Sequence, residues 1–504
     1  MESWLSRIEE PADLRRVPRE SLGAVADELR TFLIKVGSEI GGHFAGSLGT
    51  VELCVGLHWV FDTPRDRIVW DVGHQAYGHK VLTGRREGLR AIKKAHGPSG
   101  FLRRIESPYD VFGAGHAGTS VSAALGMAEG VRRAGRDERV VAVIGDGAVT
   151  AGMSFEGLNH AGFLGTDLKI VFNDNGMSIA NNVGGLSQAD SPRGYFETLG
   201  LRMLGPVDGH DLPELLAGLE LLRDASGPTL LHVRTRKGKG FAPAEADPFA
   251  WHATAPFSIE TGLRGSAAAG GPPSWTACFA EALIRVADRD PRVVAITAAM
   301  LDGTGLDVFA RRHPDRVYDV GIAEQHAVTF AAGLAAEGFR PVCAIYSTFF
   351  QRAFDHLVHD VAIQKLPVIF CLDRAGLAGE DGPTHHGNLD LAYLACVPGM
   401  VVAAPKDGNE LRDLLFTALA YDAGPFAIRF PKDECWAYDG DIKFTPIPIG
   451  RWEILRPGSD ACILAVGSMV RSALQIATQF ATEGINLQVI NARFVKPLDI
   501  ALLE

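Results

Sequence analysis

Short, continuously apolar runs that end in polar turns constrain the fold of this 504-residue chain more than any other feature. The first half of the chain contains the runs RVVAVIGDG, DLKIVFNDN and TLLHVRTRKGKG. The second half contains RVVAITA, RPVCAIYS, LPVIFCLDR and PFAIRFP. A strand that is apolar along its whole length is buried on both faces, which is typical of parallel sheets covered by helices. We therefore predict an α/β fold of consecutive doubly wound domains with mostly parallel sheets.

A stretch rich in small residues, Pro and Gly divides this pattern. TGLRGSAAAGGPP at 261–273 predicts a linker between domains at 1–260 and 274–440. A third α/β unit at 450–504 contains ACILAVGS and NLQVINARFVKPLD, which amount to about one βαβ unit. A parallel sheet that small cannot cover both of its faces, so we expect this unit to be partial or to pack on a partner.

The bulk composition narrows the class of protein. The net charge of −11 and the pI of about 5.8 argue against nonspecific nucleic-acid binding. No run reaches the roughly 18 apolar residues that a membrane helix needs, and MESWLSRIEEPADLRR lacks the apolar segment of a secretory signal. None of the seven cysteines forms a CxxC pair and several lie in apolar runs, so we expect buried, reduced thiols and a cytoplasmic protein.

Two of the polar turns favour a divalent metal that holds a diphosphate. Asp146 in GDGAV and Asn175 in NDNGM would both lie at the carboxyl ends of parallel strands, where ligands of such sheets bind. An Asp carboxylate, an Asn carbonyl and a backbone carbonyl are hard oxygen ligands that suit Mg²⁺, which completes its octahedron with phosphate oxygens. Gly145 and Gly147 let the backbone approach a diphosphate. The alternative is a pair of ordinary turns, because GDG alone is a weak signal.

Longer stretches carry a resemblance to one family. GDG(x₂₇)N looks like the thiamine-diphosphate signature of the transketolase superfamily. Within it, the chain resembles the 1-deoxy-D-xylulose-5-phosphate synthases over nearly its whole length, through FAGSLGTVEL, DRIVWDVGHQAYGHKVLTGR, GHAGTSVSAALGMA, GPVDGHD, KGKGFAPAEADPFAWHA, DVGIAEQHAVTFAAGLA, YSTFFQRAFDH, DRAGLAGEDGPTHHG and NARFVKPLD. The resemblance implies a homodimeric transferase that uses thiamine diphosphate and Mg²⁺. It would condense pyruvate with D-glyceraldehyde 3-phosphate, release CO₂ and form 1-deoxy-D-xylulose 5-phosphate, a precursor of isoprenoids, thiamine and pyridoxal.

The same resemblance assigns the domains and most site residues. Residues 1–260 would bind the diphosphate, 274–440 the pyrimidine, and 450–504 would be a partial C-terminal transketolase-like domain. The implied Mg²⁺ ligands are Asp146, Asn175 and the Met177 carbonyl. The thiamine site would be lined by His74, Gly115, His116, Ala117, Gly147, Ala148, Asn175 and Phe241. The implied substrate contacts are His43, His252, Tyr346, Arg352, Asp381, His385 and Arg429.

Glu324, in VGIAEQHAV, is the implied catalytic carboxyl. By resemblance it hydrogen-bonds the aminopyrimidine of the cofactor and switches its tautomer, which a carboxyl of raised pKa in an apolar setting can do. From the residues alone, a first-turn glutamate that stabilises the helix dipole is an equal interpretation. His43 and His385 would assist proton transfer, and Asp381 would orient the aldehyde.

Arg352 and Arg429 would hold the phosphate of the acceptor aldehyde, because arginine makes bidentate contacts with phosphate. The ordinary alternative for each arginine is a surface ion pair.

Three departures from the family pattern leave alternatives open. Ala117-Gly118 replaces two serines, and Phe241 stands where an aromatic with a hydroxyl is frequent. Only QADSPRG joins NNVGGLS to YFETLG, where the family usually carries a long mobile segment. The competing hypotheses are a transketolase-like ketol transferase, a pyruvate decarboxylase-type activity and a catalytically impaired fragment that still binds cofactor.

Overall fold

The chain folds into two units, and each is built on a sheet of mostly parallel strands. The apolar runs predicted such sheets. The computed structural model describes residues 3–189, 191–264, 271–379, 381–440 and 443–504. The first unit is Met1–Ala267 with Glu380–Thr384, and the second is Ala268–Gly379 with His385–Glu504. The predicted linker at 261–273 includes residues 265–270, which lie outside the described residues.

The first unit contains a five-stranded sheet in the order β2-β3-β4-β6-β5, with all strands parallel, and a separate antiparallel pair, β1-β7. Its strands are β1 Gly42–His43, β2 Arg67–Trp70, β3 Val140–Gly145, β4 Lys169–Asp174, β5 Arg202–Asp208, β6 Thr229–Arg234 and β7 Ala253–Thr254. Its helices are α1 Pro11–Leu14, α2 Leu22–Ile40, α3 Ala45–Gly49, α4 Val51–Val60, α5 Tyr77–Lys80, α6 Ser120–Arg133, α7 Asp146–Val149, α8 Gly152–Leu164, α9 Arg193–Thr198, α10 Leu212–Asp224 and α11 Ala242–Ala246.

Both faces of this sheet are buried, which explains why its strands are apolar throughout. Val141 and Val143 of β3 pack in one core with α2, α4 and α10. Ala142 and Ile144 point to the opposite face and pack with α6 and α8. Successive residues of a strand face opposite sides of the sheet, so the two helical layers require an apolar residue at every position.

The second unit contains a seven-stranded sheet in the order β17-β12-β13-β11-β10-β8-β9, parallel except for β17. Its strands are β8 Val293–Thr297, β9 Val317–Asp319, β10 Arg340–Tyr346, β11 Ile369–Asp373, β12 Val401–Ala403, β13 Phe426–Arg429 and β17 Phe494–Lys496. Its helices are α12 Trp275–Ala287, α13 Leu306–Arg312, α14 Glu324–Ala336, α15 Ser347–Phe350, α16 Phe354–His356, α17 Asp390–Cys396 and α18 Gly408–Ala420. Val342 and Ala344 face α12 and α18, whereas Cys343 and Ile345 face α14.

The C-terminal part of the second unit adds a three-stranded sheet in the order β14-β16-β15. It consists of β14 Glu453–Arg456, β15 Ala461–Ala465, α19 Met469–Ala481, β16 Leu487–Asn491 and α20 Ile500–Leu503. β15 lies at an edge, and Cys462 and Leu464 are exposed on it. The expectation of buried thiols is therefore wrong for Cys462 and also for the exposed Cys396, while the other five cysteines are buried. Among the described helices, none combines the length and apolarity that crossing a membrane requires.

A buried ionic cluster fastens this C-terminal sheet to α18. Glu410 accepts hydrogen bonds at Oε1 from Asn491 Nδ2 (2.8 Å) and Arg493 Nη1 (3.1 Å), and at Oε2 from the Lys406 amide (2.6 Å). Lys406 Nζ also lies 3.1 Å from Glu453 Oε2. Glu410 is 3% exposed, so its charge depends on these partners rather than on water.

Replacing the central carboxylate should loosen the C-terminal sheet. Glu410→Ala leaves buried cations without their partner, and breaking such a cluster costs about 3 kcal/mol. We expect the free energy of local opening of β16, measured by amide hydrogen exchange, to fall by that order. Glu483→Ala, at an exposed carboxylate of the same segment, is the control. Equal exchange in both variants would show that the cluster does not hold the sheet.

Candidate functional site

The register of the first sheet brings two of the predicted metal ligands to one edge. β3 and β4 run side by side with Gly145 opposite Asn173, so Asp146 and Asn175 leave their strands at the same carboxyl edge. Asp146 begins α7 directly after β3. The structure therefore places these two residues on adjacent loops, as the parallel pattern predicted.

The Asp146 carboxylate is buried and only half satisfied. Asn182 Nδ2 donates to its Oδ2 at 2.6 Å, whereas Oδ1 has no hydrogen-bond partner among the described residues. Burial, and then the nearby Asp174 carboxylate, raise the pKa of Asp146 to about 7. A buried polar oxygen without a partner costs free energy that a bound cation would remove.

The turn after β4 supplies the other oxygen atoms. The Met177 amide donates to Asn175 Oδ1 at 3.2 Å. A side chain at Gly147 would place its Cβ 2.6 Å from Ser178 Cβ, so only glycine lets this turn approach Asp146. No group of three His, Cys, Asp or Glu able to hold a metal occurs in the described part of the chain. One carboxylate, one amide and one carbonyl instead fit the oxygen preference of Mg²⁺.

Lys237 is a residue at this edge that the sequence analysis did not single out. Its Nζ donates to the carbonyls of Ser178 (2.6 Å) and Ile179 (3.2 Å). Burial lowers the pKa of Lys237 to about 8, and the Asp146 carboxylate opposes that shift. The available signal was its position in the polar turn TRKGKG, directly after β6.

Three predicted histidines of the first unit lie together. β1 pairs with β7, with His43 opposite Ala253, and this brings His43 next to His252. The ring centroids are 5.8 Å apart for His43 and His252, and 5.1 Å apart for His74 and His252. Desolvation lowers the pKa of His74 to about 3 and that of His252 well below its usual value. These two imidazoles are therefore neutral at pH 7 and can donate or accept hydrogen bonds without carrying charge.

The segment 381–384, although distant in sequence, belongs to the first unit. Asp381 Oδ1 lies 2.8 Å from Lys93 Nζ and 3.9 Å from His43 Nε2. His116 Nε2 donates to the Thr384 carbonyl at 2.8 Å. Gly115 lies so close to this segment that a Cβ there would sit 2.7 Å from Thr384 Cβ. The segment 381–384 thus lies beside two predicted histidines, His43 near Asp381 and His116 at Thr384.

The remaining predicted residues of this unit are Ala117, Ala148 and Phe241. Ala117 lies in the loop before α6, and Ala148 lies in α7, where its carbonyl accepts from Ser154 Oγ at 2.8 Å. Phe241 packs in an aromatic cluster, with ring centroids 5.7 Å from Phe44, 5.1 Å from Trp251 and 5.3 Å from Phe257. Their contact with a cofactor stays a prediction.

In the second unit, Glu324 begins α14 and is 3% exposed. Its Oε2 makes no hydrogen bond to the described residues, and Arg352 Nη1 lies 3.7 Å away. Burial raises the pKa of Glu324, and the Arg352 guanidinium opposes that shift. The structure therefore groups Arg352 with the predicted catalytic carboxyl.

Three neighbouring strands of the second sheet place a different arginine beside Tyr346. Tyr346 is opposite Asp373, and Leu372 is opposite Arg429, so β10, β11 and β13 end together. Arg374 follows β11, and its guanidinium lies 4.0 Å from the centroid of the Tyr346 ring. Arg374 is not among the predicted site residues, although it ends the apolar run LPVIFCLDR.

Fixed partners orient the polar groups at this edge. Arg374 Nη1 donates to the Gly303 carbonyl and to Asp373 Oδ2, each at 2.6 Å. Arg429 Nε donates to Asp390 Oδ2 at 2.8 Å. The predicted His385 has its ring 5.4 Å from Phe349, which stacks on Tyr346 at 5.5 Å. Tyr346, His385, Arg374 and Arg429 thus belong to one unit and are held by its strand ends and loops.

Comparison with known proteins defines first the class and then the family. Residues 271–435 match the transketolase pyrimidine-binding domain and residues 450–504 match the transketolase C-terminal domain, which makes this a transketolase-type protein. Residues 5–192 and 189–235 match the family model described as 1-deoxy-D-xylulose-5-phosphate synthase. The two pieces of that match meet where the short QADSPRG bridge lies in the sequence.

Curated relatives agree over the full length. The chain is 50% identical to 1-deoxy-D-xylulose-5-phosphate synthase 2 of Geobacter sulfurreducens, covering 100% of this chain and 87% of that protein. Identity to the synthase of Thermomicrobium roseum is 50% (99% and 86% covered), and to that of Aquifex aeolicus 49% (98% and 85% covered). The chain belongs to the 1-deoxy-D-xylulose-5-phosphate synthase family. A solved Campylobacter jejuni transketolase is 20% identical, with a TM-score of 0.43 over 94% of this chain and 88% of that chain.

Asp71 orders the loop that carries Gly115, His116 and Ala117. It is fully buried at the end of β2 and accepts the amides of Gly118 at Oδ1 (2.7 Å) and Ser120 at Oδ2 (2.9 Å). The sequence offered only its position in VWDVGH, after a strand. Asp71 thereby joins the loop of His74 to the loop before α6.

Removing this carboxylate should loosen the loop before α6. Asp71→Ala leaves two buried amides unpaired, and the loss of two charge-assisted hydrogen bonds costs about 3 kcal/mol. We expect hydrogen exchange of the Gly118 and Ser120 amides to accelerate accordingly. Asp27→Ala, at an exposed residue of α2, should leave these amides protected. Protection that survives Asp71→Ala would contradict the role given to Asp71.

Proposed function

We propose that this chain is a transferase that condenses pyruvate with D-glyceraldehyde 3-phosphate, releasing CO₂ and forming 1-deoxy-D-xylulose 5-phosphate. The observation that carries the proposal is the buried, half-satisfied Asp146 carboxylate beside the Asn175–Met177 turn, in a member of this family. Transketolase-like ketol transfer is not favoured, because the relatives that match the full chain are named as synthases.

The residues of the first sheet edge fit a metal-bound diphosphate. Asp146, Asn175 and the Met177 carbonyl would hold Mg²⁺, which suits their oxygen atoms. Thiamine diphosphate, when bound, supplies a nucleophilic carbon and an electron sink for loss of CO₂. The residues proposed to line it are His74, Gly115, His116, Ala117, Gly147, Ala148 and Phe241. The neutral state of His74 lets it donate or accept a hydrogen bond without adding charge.

Glu324 is proposed to hold a proton for the aminopyrimidine. Its burial favours the neutral carboxyl, and a neutral carboxyl donates a hydrogen bond to a ring nitrogen. Its Oε2 accepts no hydrogen bond from the described residues, which leaves that atom available for the contact. Arg352, 3.7 Å away, limits how far the pKa rises, so the proton stays exchangeable.

The acceptor phosphate is proposed to bind Arg429 together with Arg374. Arg429 is the last residue of β13 and Arg374 follows the neighbouring strand β11, and carboxylates hold both guanidinium groups in place. Arg352, to which the family resemblance also assigns the phosphate, lies 3.7 Å from Glu324, and its contact with the phosphate stays a prediction. Tyr346 packs against Arg374 and would present its hydroxyl at the same edge.

The polar residues near the reacting carbons are proposed to move protons and orient the aldehyde. His43 and His252 lie in one cluster of rings, and Asp381 is close enough to His43 to orient it. His385, in the second unit, is proposed to assist proton transfer to the acceptor oxygen. Each of these histidines carries an imidazole, which can donate or accept a hydrogen bond at its position.

We also propose a cytoplasmic homodimer. The family resemblance supports the dimer, and α8 leaves the apolar side chains of Met153, Phe155 and Phe163 exposed, as is typical of helices that pack against another chain. Light scattering of the purified chain should give twice its 54.0 kDa mass.

Incubation of the chain with 1-¹³C-pyruvate, D-glyceraldehyde 3-phosphate, thiamine diphosphate and Mg²⁺ tests the proposed reaction. We expect ¹³CO₂ and 1-deoxy-D-xylulose 5-phosphate in equal amounts by NMR. In a parallel incubation with ketose donors in place of pyruvate, formation of erythrulose or xylulose 5-phosphate would instead indicate ketol transfer. Bound cofactor with neither product would support the impaired-fragment hypothesis.

Glu324 should control proton exchange on the cofactor rather than its binding. Glu324→Gln keeps the volume of the side chain but removes the acidic proton, so we expect exchange of the thiamine C2 proton to slow by at least about 100-fold. NMR-detected deuterium exchange measures it, and calorimetry should show that cofactor binding persists. Exposed Glu337→Gln at the end of α14 is the control. Normal exchange in Glu324→Gln would remove this role.

Replacing an arginine that binds the acceptor phosphate should change the KM values of the two substrates differently. Arg374→Met and Arg429→Met should each raise the KM for D-glyceraldehyde 3-phosphate by about 10-fold or more, because a charge-assisted pair to phosphate is lost. The KM for pyruvate should change little. Arg352→Met should mainly alter C2 proton exchange through Glu324. A raised acceptor KM in Arg352→Met, with none in Arg374→Met, would favour the original family-based assignment.

A further inference from the structure

The Asn175–Met177 turn carries two of the proposed metal ligands. Residues of β6 and of the loop after it contact the chain on each side of this turn. We propose that His232 and Lys237, named here the β6 clamp, are positioning residues that fix the Asn175–Met177 turn in the geometry that Mg²⁺ requires. This inference rests on the proposed function, because it concerns the same metal-bound diphosphate. Neither residue is a proposed ligand of the metal.

His232 holds the start of the turn through Asp174. β4 pairs with β6 so that Phe172 is opposite His232 and Asp174 is opposite Arg234. His232 is 2% exposed, its ring packs 5.1 Å from Phe172, and its Nε2 donates to Asp174 Oδ2 at 2.8 Å. The other oxygen of Asp174 accepts the Gly176 amide at 3.3 Å. The histidine therefore fixes a carboxylate that itself shapes the backbone on either side of Asn175.

Lys237 holds the far end of the same turn. Its buried ammonium binds the carbonyls of Ser178 and Ile179, the two residues directly after Met177. An ammonium group has donors only and cannot ligate a cation, so its contact with these carbonyls orients the backbone rather than the metal. The two clamp residues thus contact the chain on both sides of Asn175 and Met177, at Asp174 and at the Ser178 and Ile179 carbonyls.

The coordination chemistry of Mg²⁺ makes its binding sensitive to the ligand positions that the clamp fixes. Mg²⁺ needs nearly ideal octahedral geometry at about 2.1 Å, whereas Ca²⁺ accepts flexible sites and longer distances. Partners that orient the ligands of a metal typically change its affinity 10–100-fold. Loosening the turn should therefore weaken the binding of Mg²⁺ more than the binding of Ca²⁺. A general loss of stability would weaken the binding of both metals alike.

The test is calorimetric titration of thiamine diphosphate into the full apo chain at a series of fixed MgCl₂ or CaCl₂ concentrations. His232→Phe keeps a ring against Phe172 but removes the donor to Asp174. We expect its half-saturating Mg²⁺ concentration to rise at least 10-fold, with a smaller rise for Ca²⁺. His232→Gln, which restores an N–H donor, should recover most of the Mg²⁺ dependence. His359→Phe is the control at an exposed histidine of the second unit.

Lys237→Met tests the other end of the clamp, with exposed Lys35→Met as its control. We expect the same preferential loss of Mg²⁺ over Ca²⁺. Equal weakening with both metals would instead indicate that Lys237 contacts the diphosphate directly, and would overturn its role as a positioning residue.

Distinct outcomes separate this inference from the proposed function. Wild-type chain that shows no metal-dependent binding of thiamine diphosphate contradicts the proposed function itself. Wild-type binding, with an unchanged Mg²⁺ requirement in folded His232→Phe, overturns only the clamp. Thermal melting of the apo variants reports whether they fold. If His232→Phe does not fold, Asp174→Asn, which weakens the same contact from the other side, must show the Mg²⁺ shift or the clamp is rejected.

Discussion

A buried carboxylate oxygen without a donor is the constraint on which the first unit depends. The Oδ1 atom of Asp146 is enclosed at the carboxyl edge of a sheet whose faces are both covered by helices. Burying a charge without a partner costs several kcal/mol, so the fold tolerates this arrangement only if something offsets it. A divalent cation is the natural partner, and the surrounding oxygen atoms suit one. The close approach at Gly147 and the contacts of Lys237 serve to keep those oxygen atoms near.

The second unit uses the same physical effect for a different purpose. Glu324 is also buried, and its Oε2 accepts no hydrogen bond within the described part of the chain, while the Arg352 guanidinium lies 3.7 Å from it. Burial then favours the protonated carboxyl, which can donate to a ring nitrogen. The two carboxyl groups, in comparably dry surroundings, are thus proposed to have different roles because their neighbours differ, as is general for acid and base groups in enzymes.

Much of this could be predicted from the sequence, because the strands carry the information locally. Apolar runs with polar ends identified β3, β4 and β6, and hence the edge where Asp146 and Asn175 meet. The family resemblance supplied the candidates for the remaining positions. Both depend on residues close together in the chain.

What the sequence could not provide depends on pairing between distant segments. Arg374 was missed because its place beside Tyr346 follows from the register of β10 and β11. The contact of His43 with His252 needs β1 and β7, which are only two residues long and give no periodic signal. The exposure of Cys462 follows from the edge position of β15. Local patterns do not encode which strand becomes an edge or which loop returns to another unit, as 381–384 does.

A crystal structure of the chain grown with Mg²⁺ and thiamine diphosphate would test the central claim most directly. The assignment predicts a metal about 2.1 Å from Asp146 Oδ1, Asn175 Oδ1 and the Met177 carbonyl, with diphosphate oxygens completing the octahedron. A diphosphate bound elsewhere, or a metal that leaves Asp146 Oδ1 without a partner, would contradict it.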